Sequence, residues 1–149
     1  MTDQLPEPIP IRAGLPRTRT TRAKRKAGGD APAEEQALAL ARRIVDLASD
    51  KKAADIVLLE VRELTTLADY FVICSGQSER QLGAIADGII EGVREQEGTK
   101  PIGREGSSNA HWLLVDYGSV IVHVMAPPER DFYQLERLWA DAPLLVRLQ

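Results

Sequence analysis

The sequence predicts an α/β domain behind a disordered basic tail, and three observations carry that prediction. Two long stretches, 34–50 and 78–98, repeat apolar residues at the spacing of one helical face. Two short apolar runs, 55–61 and 70–75, are β-branched or aromatic and bounded by polar residues, as strands buried on both faces are. A third stretch, 112–125, has the form of a hairpin. With 149 residues and 44% of them hydrophobic, one compact domain is the expected count.

Residues 1–33 come first and stand apart. They hold prolines at 6, 8, 10, 16 and 32, no aromatic residue, and the basic side chains Arg17, Arg19, Arg22, Lys24, Arg25 and Lys26. Such a segment buries too little apolar surface to offset its ordering entropy and is expected to be disordered, leaving 34–149 as the domain. The tail carries a formal charge of +4 and the remainder −7. A body that acidic repels phosphates, so only the tail has the sign for weak contact with RNA.

The first helix is opened by Pro32 and two acids. It carries Ala37, Leu40, Ala41, Ile44, Leu47 and Ala48 on one stripe and is expected to stop near Asp50. Asp55–Val61 and Tyr70–Ser75 then belong in the middle of a sheet. Ser78 followed by Gln81 is a capping box, Leu82 to Val93 holds helical period, and Gly98 ends the second helix. In the hairpin, Asp116-Tyr117-Gly118-Ser119 reads as the turn, which pairs positions summing to 235 and sets Trp112 opposite His123. Leu113, Val115, Val120, Val122 and Val124 then share an aliphatic face. Trp112, Leu114, Ile121, His123 and Met125 share the other. A last helix is expected from about Pro128 to a point before Pro143, with Phe132, Leu135, Leu138 and Trp139 on one side.

The second hairpin face has the residue types of an interface centre. Trp112, Leu114, His123 and Met125 are expected to meet a partner, with Tyr117 and Asp116 on an exposed turn beside them; a core position under a helix is the structural alternative for Trp112 and His123. Cys74 lies in an apolar strand and is expected to act as a small core hydrophobe. One cysteine excludes an intramolecular disulfide and a multi-thiolate metal site. His111 and His123 project to opposite faces, so no metal site and no cofactor are expected. Ser75-Gly76-Gln77-Ser78, between a strand and a helix, could offer amides to a phosphate, but it lacks a lysine and any Walker pattern. Asp69 and Glu105 read as structural. No apolar run has the length of a membrane helix, and a cytoplasmic location is the simplest expectation.

Several runs together resemble the ribosomal silencing factor (RsfS, iojap-like) family, from about residue 35 to 142. They are Ala54-Asp55-Ile56, Leu67-Ala68-Asp69-Tyr70-Phe71-Val72-Ile73, Ser75-Gly76-Gln77-Ser78 and Ala84-Ile85-Ala86-Asp87. Glu105-Gly106, His111-Trp112, Val115-Asp116-Tyr117-Gly118, Val122-His123-Val124, Glu129-Arg130 and Tyr133 to Trp139 follow in order. The resemblance implies a mixed five-stranded sheet packed with helices, related to a minimal nucleotidyltransferase fold. It also implies binding to the large ribosomal subunit through its fourteenth protein, blocking the small subunit sterically. Arg130 and Tyr133 match the family's Arg and Tyr; an intrachain pair of Arg130 with Glu129 or Glu136 is the structural alternative. Two rivals remain at this stage: a divergent nucleotidyltransferase, disfavoured by the absence of a carboxylate pair, and an assembly factor using the tail on RNA. The sequence does not decide between a monomer and a homodimer.

Overall fold

A computed structural model describes residues 30–149, so all seven Lys and Arg side chains of the expected tail lie outside the described residues. Helix α1 spans Asp30–Asp50, starting four residues before the expected Glu34. It is followed by β1 (Ala54–Glu60), β2 (Tyr70–Ser75) and helix α2 (Glu79–Glu97). Then come β3 (Gly103–Ser107), β4 (Trp112–Asp116), β5 (Val120–Met125), the short helices α3 (Pro127–Tyr133) and α4 (Leu135–Leu138), and β6 (Leu144–Leu148).

The sheet has six strands in the order β3-β4-β5-β2-β1-β6, one more than the resemblance implied. Only β2 and β5 run parallel; every other pair is antiparallel. Strands β1 and β2 lie inside the sheet, as their unbroken apolar runs require.

Helix α2 has the caps its sequence announces. The Ser78 hydroxyl accepts from the Gln81 amide at 3.1 Å, and Gly98 closes the helix in the left-handed conformation (φ 69°). The Gln81 carbonyl accepts from Gln77 N at 2.6 Å, one residue further out than a capping box requires. Its amide also donates to Lys52 O at 3.1 Å, which ties the start of α2 to the turn after α1.

The hairpin departs from the expected register. Trp112 pairs with Met125 and Leu114 with His123, so partners sum to 237. The turn is only Gly118-Ser119: Tyr117 N donates to Val120 O at 2.9 Å, and Gly118 takes φ 87° at the first central position, which costs a glycine nothing. The Asp116 carboxylate accepts from Gly118 N at 2.7 Å and fixes that turn. A slip of two residues preserves the pleat, so the two face sets stand as the sequence sorted them.

Each face builds its own core. On the first, Leu40, Ile44, Leu82, Ile85 and Ile89 of α1 and α2 pack on Ile56, Leu58, Val72 and the aliphatic hairpin set. On the second, Val57, Phe71, Ile73, Trp112, Leu114, Ile121 and Met125 are covered by Leu135, Ala142, Tyr133 and Trp139, with Val61, Leu67 and Ala68 at the side. The expected single last helix is broken at Gln134, which adopts φ 45° and is both the C-cap of α3 and the N-cap of α4. The break reorients the chain. Leu135 is buried and Trp139 packs inward, but Phe132 and Leu138 are 64% and 72% exposed.

Candidate partner-binding surface

The face expected to meet a partner is covered from within the chain. Trp112 is 6% exposed, Leu114 2%, His123 1% and Met125 0%. The expectation of an open sheet face is therefore corrected: α3, α4 and the segment after them take the place an outside partner would need. What the structure brings together is an aromatic cluster. Trp112 and Tyr133 rings lie 4.7 Å apart, Trp112 and His123 6.0 Å, and Phe71 meets His123 and Trp139 edge-to-face at 5.2 Å each. Such contacts add about 0.5–1.5 kcal/mol each beyond the area buried.

The cluster also fixes the chemistry of His123. Trp112 Nε1 donates to His123 Nδ1 at 3.2 Å, so Nε2 carries the proton of the neutral ring, and it has no partner. Burial pushes the ring's pKa down to about 3. At neutral pH it is an uncharged acceptor for the indole.

Tyr117 is not on an exposed turn. It continues the alternation of Leu113 and Val115 onto the aliphatic face, is 8% exposed, and its hydroxyl is pushed up to about 12 by burial. Asp116 is half-buried and serves the turn.

Arg130 lies at the carboxyl ends of the parallel strands. Its Nη1 donates to the Ser75 hydroxyl at 2.8 Å, and its Nε and Nη2 grip Glu136 at 3.2 and 2.8 Å. The intrachain alternative is thus the one observed, with Glu136 as the partner. Burial alone would raise the Glu136 carboxyl; the hydrogen bond and charge of Arg130 more than offset it and hold the group below its ordinary value. An open cavity of about 440 Å³ lies alongside, lined by Asp55, Ser75, Arg130, Asp131, Glu136 and Arg137 among others. The Ser75 hydroxyl accepts from Arg130, which ties the end of β2 to α3.

Cys74 is fully buried, and burial pushes its thiol up to about 12. Asp69 is buried where β2 begins. His111 sits outside the hairpin, its ring nitrogens 3.2 Å from Glu79 and 3.3 Å from Glu129.

The outside of the α3–α4 cap is one of the places where large apolar side chains stand in solvent, Ile102 and the Leu144, Leu145 and Leu148 of β6 being others. Phe132 and Leu138 project from the cap, half-buried Tyr133 lies between the cap and the core, and Asp131 and Asp141 add negative charge. Sequence reasoning placed Phe132 and Leu138 on the same side of one helix as Leu135 and Trp139, from which the break at Gln134 separates them. No residue type marks the break: glutamine is a good helix former, and nothing at 134 signals a left-handed residue.

A mixed six-stranded sheet with long helices on one face and a short helical cap on the other defines the class: an α/β domain with two cores and an acidic exterior. A family model described as "Ribosomal silencing factor during starvation" (RsfS) matches residues 34–149. The chain belongs to that family. It is 45% identical over 95 residues to the ribosomal silencing factor RsfS of Bacillus subtilis, covering 64% of this chain and 80% of that protein. It is also 35% identical over 98 residues to a mouse protein named mitochondrial assembly of ribosomal large subunit protein 1, covering 64% of this chain but 43% of the mouse one. Among solved structures, a Bacillus halodurans protein matches with a TM-score of 0.60 at 38% identity, covering 75% of this chain and 98% of that one.

Proposed function

We propose that the protein binds the large ribosomal subunit through its fourteenth protein and, by occupying space the small subunit needs, keeps the two from joining. The observation that carries this reading is the family match, which runs through the whole of 34–149 rather than one motif. The −7 charge of that body supports it, since an acidic surface is repelled by ribosomal RNA and attracted to a basic ribosomal protein. In this reading the partner meets the outer face of the cap, with Phe132 and Leu138 as apolar anchors and Tyr133 beside them. Trp112, Leu114, His123 and Met125 act from beneath by holding that cap in place, as Arg130 does through Glu136. Asp116 and Tyr117 hold the far end of the hairpin.

The mechanism is binding without catalysis, in the cytoplasm, where the bacterial ribosome works. Among the described residues no helix is long and apolar enough to cross a membrane. The tail Arg17, Arg19, Arg22, Lys24, Arg25 and Lys26 would add a weak, salt-sensitive contact to RNA.

Co-sedimentation with purified large and small subunits tests the proposal. Binding to the large subunit alone, and fewer joined ribosomes as protein is added, is the expected result. Equal binding to both subunits, or undiminished joining at saturation, overturns it. Calorimetry with each nucleoside triphosphate and Mg²⁺ tests the absence of catalysis. Saturable micromolar binding of one nucleotide would revive the nucleotidyltransferase reading.

A further inference from the structure

His111 occupies a position that neither the fold nor the partner surface accounts for. It ends the turn between β3 and β4 with φ 64°, a left-handed conformation that histidine, like asparagine and aspartate, adopts more readily than other side chains. Its ring lies between two helix starts that belong to opposite faces of the sheet. Nε2 is 3.2 Å from Glu79, the first residue of α2, and Nδ1 is 3.3 Å from Glu129, in the first turn of α3.

The start of α3 is short of other support. Its N-cap is Ala126, which has no side chain to cap with; Pro127 and Pro128 leave no orphan N–H there, but the cap residue itself offers nothing to hold the helix start. The Ala126 amide donates to the His111 carbonyl at 3.0 Å. His111 thus holds this helix twice, once by its backbone and once by its ring.

A neutral imidazole has one donor and one acceptor, so it can satisfy only one of two flanking carboxylates. The other would face a lone pair. The cation donates to both. We propose that His111 is a pH-responsive staple: as imidazolium it bonds Glu79 and Glu129 together and seats the α3–α4 cap, and on losing its proton it releases one of them and loosens the cap. The charged groups facing the ring are Glu79 from α2 and Glu129 from α3. Their hydrogen bonds, that of Glu129 first, raise the ring above its ordinary value of 6.5, while its slight burial acts the other way. The dipoles of the two helices oppose the cation, but they act through partial charges whereas the carboxylates are in contact. For a group whose pKa is raised on folding, the stabilisation is complete below the unfolded value and is lost as pH rises through the folded one. The cap is therefore tighter at pH 6 than at pH 8.

The test is NMR of the full chain from pH 5.5 to 8.5, following the His111 ring and amide exchange corrected for its intrinsic pH dependence. The expected result is a His111 midpoint above that of an unstructured histidine, falling toward it in Glu129→Gln and Glu79→Gln. The Arg130 and Gln134 amides of α3 should lose roughly two- to fivefold of their protection across that midpoint, the size of one part-exposed charged link. Amides of α2 near Ile89 should not. His111→Asn keeps a residue that tolerates the left-handed backbone but cannot bridge both carboxylates. It should abolish the α3-specific change while the aliphatic core keeps its protection. An ordinary midpoint in the parent, equal change in α2 and α3, or a change that survives in His111→Asn would each overturn the proposal.

Discussion

The two faces of the sheet solve the same burial problem with different materials. One is covered by α1 and α2, of 21 and 19 residues, which lay aliphatic stripes on an aliphatic sheet. The other is covered by α3 and α4, of 7 and 4 residues, too short to be helical on their own and held by what lies beneath them. Below that cap are rings, a buried histidine and a buried arginine, each with a definite partner. The aliphatic face depends on non-directional packing. The aromatic face depends on directional contacts as well, and the exposed Phe132 and Leu138 show that its cover has two apolar sides.

The largest expected effect removes the centre of the second face. Trp112→Ala should cost about 3–5 kcal/mol of folding stability, as a buried aromatic does, and Ile89→Ala on the first face about 2–5 kcal/mol. Chemical unfolding measures both. The contrast lies in how the loss is distributed: in Trp112→Ala, exchange protection should fall first in α3 and α4, whereas Ile89→Ala should weaken both faces together. Uniform loss in both variants would erase the distinction between the faces.

Next in size is the acid response of His123. Its folded pKa of about 3 lies below the ordinary 6.5, so the unfolded chain binds a proton that the native state refuses. Stability should fall as pH drops below 6.5, by at most about 1.4 kcal/mol per pH unit, or about 2 kcal/mol by pH 5. His123→Leu should flatten that slope, while costing stability at neutral pH by leaving the Trp112 indole without an acceptor. His111 runs the opposite way, losing its contribution as pH rises. A slope unchanged in His123→Leu would mean that the ring is not buried as described.

Arg130 gives an effect of similar size. Arg130→Leu strips Ser75 and Glu136 of their donor and should cost about 1–3 kcal/mol, the penalty of unsatisfied buried polar groups. Arg130→Lys should recover only part of this, since an ammonium cannot make the forked grip on Glu136. Full recovery by lysine would reduce the site to a point charge.

What was legible in the sequence follows the same division. Helix α2, strand β2 and strand β5 end where their caps and apolar runs end, because local chemistry decides those boundaries. The sorting of the hairpin into two faces was also legible, since a period of two survives a slip of two residues. The register was not: Asp116, Tyr117, Gly118 and Ser119 all suit a turn, and only the glycine and its neighbour form one. Strand β3, Gly-Arg-Glu-Gly-Ser, has no apolar residue to announce it and is held by pairing with β4. Gly106 within it has φ 82°, and a side chain there would strike the Trp112 carbonyl. That Trp112 is core rather than interface was an alternative the sequence raised but did not decide. What covers it is a cap broken at Gln134 by tertiary packing, not by a helix-breaking residue.

The smallest effect on stability belongs to the residues that matter most to the proposed function. Phe132 and Leu138 stand mostly in solvent, so Leu138→Ala should change folding stability by no more than about 0.5 kcal/mol, the range of ordinary surface substitutions, and Phe132→Ala, which also loses an edge-to-face contact with Tyr133 at 5.0 Å, by about 1 kcal/mol at most. If they anchor the ribosomal partner, each should cost about 2 kcal/mol or more of binding, roughly thirtyfold in affinity. Trp112→Ala would weaken binding too, but through the cap, with a lowered melting temperature as its signature. Thermal scans and affinity for the large subunit, measured on the same three variants, separate the two routes. Phe132→Ala that melts like the parent and binds poorly places the partner on the outside of the cap. If it melts like the parent and binds fully, the cap is cover alone, and the acidic exterior elsewhere must supply the contact.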